Sequence, residues 1–150
     1  ERTQKFYSWA MNNHWGTNYR AYQDGPVEFW FALRPHREYD AVAAERLATG
    51  MSQPLLPLPA ATGAAPGPSL LRLTPDDVLV NPLKPSDDGR AWIIRLYGAS
   101  GSAREARLHW GDGRSRQVFL SDLSERALRP VKAGVKVPGF GVVTLRVENP

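Results

Sequence analysis

From residue 70 onward, apolar and polar positions alternate in short runs. Residues 70–74 and 78–83 come first, and Ala91 to Tyr97 then sets Trp92, Ile94 and Leu96 on one face. Ala106, Leu108 and Trp110 alternate with Glu105, Arg107 and His109. Gln117 to Leu120 follows, then Val135 and Val137, and a last run places Val143, Leu145 and Val147 opposite Thr144 and Arg146. A period of two is that of half-buried strands. The intervening Ser86-Asp87-Asp88-Gly89, Gly111-Asp112-Gly113 and Pro138-Gly139 are turn sequences. About seven short strands with no helix among them predict a β-sandwich over residues 70–150.

The first half reads differently. Residues 4–11 alternate loosely and Val27 to Leu33 is a dense aromatic run, so both are expected to be strands, with Asp24-Gly25-Pro26 turning the chain ahead of the second. From Arg37 to Thr49 the period changes: Tyr39, Val42, Ala43 and Leu47 sit at helical spacing, and Gly50 stands where a helix stops. Residues 51–69 hold five prolines, two glycines and four alanines. Proline removes backbone donors and fixes φ, so this stretch is expected to be a connector. The chain thus reads as mainly β: strands and one short helix in residues 1–50, a Pro/Ala/Gly connector over 51–69, and a sandwich over 70–150.

Composition narrows the chemistry. There is no cysteine, which excludes a disulfide framework and thiolate chemistry. No apolar run approaches the roughly 18 residues of a membrane span, so no membrane partner is expected. The formal charge is +4, carried by 15 Arg and 4 Lys against 15 acidic residues. The arginines are dispersed, not gathered on one face, so no nucleic-acid partner is expected and Arg95, Arg107 and Arg146 are read as free charges on the outer faces of the sandwich. The chain opens on Glu1 instead of Met, which leads us to expect a piece upstream.

A catalytic set is hard to assemble. His14, His36 and His109 lack the spacing of a helical zinc site. Asp76-Asp77 and Asp87-Asp88 stand beside Pro, Ser or Gly, where Asp caps turns, and are not read as a glycosidase pair. No catalytic and no metal residue is assigned, and no cofactor is expected in this chain. One segment is denser in polar and aromatic groups than folding requires. Asn12, Asn13, Trp15, Asn18, Tyr19 and Arg20 are types that hold sugar hydroxyls and stack on sugar rings. They equally suit an irregular loop whose Asn side chains satisfy the backbone while Trp15 and Tyr19 plug a core, and by residue type this second reading is favoured.

The string FYSWAMNNHWGTNY over residues 6–19, followed by Gln23-Asp24-Gly25-Pro26 and Leu33-Arg34-Pro35-His36, resembles the C-terminal region of glycoside hydrolase family 38 α-mannosidases. The likeness continues through Leu83-Lys84-Pro85-Ser86-Asp87-Asp88-Gly89, Ile94-Arg95-Leu96-Tyr97, Asp122-Leu123-Ser124-Glu125 and the stretch from Val137 to Arg146. It covers most of the chain in order, and the connector matches least. The resemblance implies that residues 1–36 are late strands of a large β super-sandwich and that residues 70–150 are the terminal β-sandwich. It implies a zinc-dependent retaining catalytic domain elsewhere, acting on α-mannosides, as the partner of this region. The rival readings are an independent carbohydrate-binding sandwich, with Trp15, Tyr19 and Trp92 or Trp110 as platforms for α-mannoside glycans, and a purely structural interaction domain. Strands taken from a larger sheet would leave the Val27 to Leu33 edge uncovered, so self-association through the N-terminal half is expected.

Overall fold

In a computed structural model, which describes residues 3–11, 16–18, 20–59, 63 and 65–148, the second half of the chain is two antiparallel sheets face to face. Helix α1 spans Ala41–Ser52, and eight strands follow: β1 Leu71–Thr74, β2 Val78–Pro85, β3 Ala91–Gly98, β4 Arg104–Trp110, β5 Gln117–Ser121, β6 Ala127–Pro130, β7 Val135–Val137 and β8 Val142–Glu148. The larger sheet has the order β2-β3-β8-β5-β6 and the smaller β1-β4-β7. The expected sandwich is therefore formed.

The central ladder joins β3 to β8, with Ile94 opposite Leu145 and Leu96 opposite Val143. Leu145 also stands opposite Leu120 of β5. Alternation sends Ile94, Leu96, Leu145 and Val147 inward to meet Ala106, Val135 and Val137 of the smaller sheet, and all seven are buried. This is the single core of the sandwich. The sheets approach most closely at β1 with β2 and at β7 with β3. The smaller sheet thus lies over the β2–β3 side and leaves the inner face of β5 and β6 opening into a cleft.

Four features differ from the sequence expectation. The helix starts at Ala41, because the Asp40 carboxylate caps it by accepting hydrogen bonds from the amides of Val42 and Ala43 at 3.0 and 3.1 Å. It runs through Gly50 and ends at Ser52, since Gln53 precedes Pro54 and a residue before proline is pushed out of the helical region. Strand β6 was not anticipated: all four of its residues are exposed on a sheet edge, so no burial pattern marks it. The strands expected over residues 4–11 and 27–33 are not formed. The chain divides into units Glu1–Arg37 and Glu38–Pro150, and among the described residues of the first there is no strand. A strand needs a ladder partner, and without one the aromatic side chains stay in solvent, Trp9 at 82% and Trp30 at 81% exposure. Gly25 does turn the chain, at φ 86°.

Within the second unit the helix is tied along the β2 edge. Arg46 donates to the Asp76 backbone carbonyl at 2.6 Å and Gln53 to the Asn81 side chain at 3.0 Å. Truncating the core should be far more costly than truncating the sheet edge. We expect Leu145→Ala to lower unfolding free energy by about 2–5 kcal/mol in a urea titration. Leu128→Ala, on exposed β6, should change it by less than about 0.5 kcal/mol.

Candidate functional site

Three polar or open features stand out on the sandwich. The first is centred on Arg146, which β8 directs away from the core, opposite Ile93 of β3. Its guanidinium donates to Asp88 Oδ2 at 2.7 Å, to Glu148 Oε1 at 3.2 Å and to the Glu125 carbonyl at 3.1 Å. Glu125 in turn pairs with Lys84 and accepts the Asp87 amide at 2.7 Å. Asp88 accepts the Ser86 hydroxyl at 2.6 Å and the Arg90 amide at 3.0 Å, and the Ser86 oxygen accepts the Ala91 amide. The β2–β3 turn, the β5–β6 turn and the central strand are joined in one network. Arg146 is therefore buried and paired, not free on an outer face as the sequence suggested. Arg107 is exposed and lies 3.5 Å from Glu105, while Arg95 is half-buried.

These carboxylates are unsuited to proton transfer. Hydrogen bonds from Ser86, the Arg90 amide and Arg146 hold Asp88 far below the ordinary carboxylate range. Lys84, with the Asp87 amide, lowers Glu125. Burial raises Asp77, but the hydrogen bond and charge of Arg104, 2.6 Å away, outweigh it and leave it lowered. A general acid must hold its proton near the working pH, and these groups stay ionised.

The second feature closes one end of the sandwich. Trp92 of β3 and Trp110 of β4 lie with ring centroids 6.2 Å apart. The Arg116 guanidinium covers both rings, 4.5 Å from Trp110 and 5.4 Å from Trp92. Asp112, in the turn after β4, grips it through two bonds of 2.9 Å. Only 4% of the Arg116 side chain is exposed. The turn requires Gly111, since a Cβ there would overlap the Ser69 carbonyl oxygen. One face of Trp92 and one face of Trp110 are thereby covered by an internal cation.

The third is the cleft left by the smaller sheet, about 880 Å³ in volume. Leu120, Val131, Val135 and Val143 supply apolar walls, and Arg129, Lys132 and Lys136 stand on its rim.

Of the residues singled out in the sequence, Asn12, Asn13, Trp15 and Tyr19 lie outside the described residues. Asn18 and Arg20 are exposed: Asn18 accepts the Thr17 hydroxyl at 3.0 Å, and Arg20 lies 3.5 Å from Asp24 and 5.5 Å from the Tyr22 ring centre. His109 meets the Thr74 hydroxyl at 2.9 Å, and His14 lies outside the described residues. Among the described residues no three His, Asp or Glu side chains converge as metal ligands. Sequence reasoning missed the roles of Arg116 and Arg146. The only signal was an arginine within an apolar strand, Arg146 between Leu145 and Val147.

A two-sheet antiparallel sandwich with one short helix ahead of it defines a mainly β module. Residues 77–148 match the model of the glycosyl hydrolases family 38 C-terminal beta sandwich domain. No curated protein and no solved structure gives a match.

The Arg146 network predicts a pH dependence. Asp88 and Glu125 are lowered from ordinary values of 3.8 and 4.5, so their stabilisation is full above those values and is lost as pH falls. Asp88→Asn should therefore lower the melting temperature clearly at pH 7, and its gap from the parent should shrink toward pH 2. Arg116→Ala should redden and quench Trp emission and cost about 1–3 kcal/mol, as two cation–π contacts and an ion pair are lost together.

Proposed function

We propose that this chain is the non-catalytic C-terminal β region of a family 38 α-mannosidase, supporting a catalytic domain that hydrolyses α-mannosides. The observation that carries the reading is the family match over residues 77–148. The exposed apolar side chains of the first unit support it, with Phe6, Trp9, Trp30, Phe31 and Leu33 each more than half exposed. Such a surface is suited to burial against another domain. In this reading residues 1–36 complete a larger β super-sandwich, where Val27 to Leu33 finds the ladder it lacks here. The zinc and the catalytic carboxylates belong to the catalytic domain, and no residue of this chain is assigned to them.

The test is direct. The purified chain, with added zinc, should not turn over an aryl α-mannoside, and calorimetry should show no heat on titration with mannose or methyl α-mannoside. Co-expressed with the catalytic portion of a family 38 α-mannosidase from the same genome, it should co-purify, and Trp30→Asp with Phe31→Asp should abolish that. Turnover by the chain alone would overturn the reading. On its own the chain should self-associate through the same aromatic face, and light scattering at high concentration should show species larger than monomer.

A further inference from the structure

The cleft beside β7 has the makings of an unfilled strand position. In the smaller sheet β7 pairs with β4 on one side, and among the described residues no strand lies on the other. Val135 and Val137 point into the core while Lys136 points out. A further strand would run about 4.8 Å beyond β7, over the side of the larger sheet that the smaller one leaves uncovered. Its inward side chains would rest on Leu120, Val131 and Val143, all partly buried members of the core margin. Its outward side chains would stand beside Lys136, where a cross-strand partner of opposite charge is favoured. Arg129 and Lys132 flank the same opening, both are exposed, and among the described residues neither they nor Lys136 forms an ion pair. Elsewhere on the sandwich, Lys84, Arg104, Arg116, Arg126 and Arg146 all have carboxylate partners. Arg72, Arg90 and Arg95 also lack a carboxylate partner among the described residues, but Arg129, Lys132 and Lys136 stand together around an open sheet edge with an apolar floor.

We propose that this cleft receives an extended acidic segment of a partner protein, which adds beside β7 as a fourth strand of the smaller sheet and sets its carboxylates against Arg129, Lys132 and Lys136. Main-chain hydrogen bonds to the β7 edge provide affinity, and the alternation of apolar and acidic side chains provides selectivity. This site is independent of the aromatic face assigned above to the catalytic domain.

The probe is a short fluorescent peptide alternating Val and Glu, titrated against the full chain and read by anisotropy. Saturable binding that weakens as salt rises is expected, with no binding of the matching Val and Lys peptide. Methylating the backbone nitrogens of the Val and Glu peptide should abolish binding, because a strand without donors cannot pair. The double variant Arg129→Glu and Lys136→Glu should weaken affinity about tenfold or more, each exposed pair being worth about twofold to fivefold. Its melting temperature should match the parent, and the milder Lys136→Gln should weaken binding by a smaller factor in the same direction. Absence of binding would overturn the proposal. So would undiminished binding of the methylated peptide, displacement by millimolar inorganic phosphate, or tighter binding of a single-stranded oligonucleotide, each of which marks a bare anion patch.

Discussion

An arginine removed from water must bring its partners with it, and that constraint organises this sandwich. Transfer of an unpaired charge into the interior is prohibitively costly, so a buried guanidinium forces nearby carboxylates and carbonyls into place. Arg146 sits on β8, the central strand of the five-stranded sheet. Its three partners come from the β2–β3 turn, the β5–β6 turn and its own strand. Each turn is thereby fixed relative to the middle of the sheet. Glu125 is held at φ 63°, a left-handed conformation unusual for a residue with a side chain. It is kept there because its carbonyl answers Arg146 while its carboxylate answers Lys84 and the Asp87 amide.

Arg116 applies the same constraint between the two sheets. Trp92 belongs to the larger sheet and Trp110 to the smaller, so a cation lying over both rings links the layers where the aliphatic core ends. Asp112 fixes that cation from a turn that only glycine at position 111 permits. Hydrophobic burial holds the sheets together through Ile94, Leu96, Leu145 and Val147. The two arginines specify which turns and which end of the sandwich go with that core.

Alternation made most of the sandwich legible in the sequence. Ala106, Leu108 and Trp110 against Glu105, Arg107 and His109 give the observed inward and outward faces of β4. The outer face of β8 was not legible in this way. Thr144 and Arg146 alternate as solvent-facing residues should, yet both are buried, and the network built from distant turns encloses Arg146. Asp88 and Arg146 are far apart in the chain, and nothing local in either predicts their meeting. Strand β6 was illegible for the opposite reason, since an exposed edge carries no burial signal. Residues 4–11 and 27–33 show the limit of patterning itself. A strand-like sequence becomes a strand only when a neighbour supplies the other half of its hydrogen bonds.

The same pairing that stabilises the sandwich decides what it can do. Asp77, Asp88, Asp112 and Glu125 each face a guanidinium or an ammonium group and are lowered as a result. A carboxylate held ionised in this way is a poor general acid. Chemistry of that kind would require groups the fold has not already committed. The uncommitted features are of another type: aromatic surface in the first unit, and beside β7 a strand edge with an apolar floor and three unpaired cations. Apolar area and an open strand edge are both features through which polypeptides associate, the first by burial and the second by main-chain hydrogen bonds and charge.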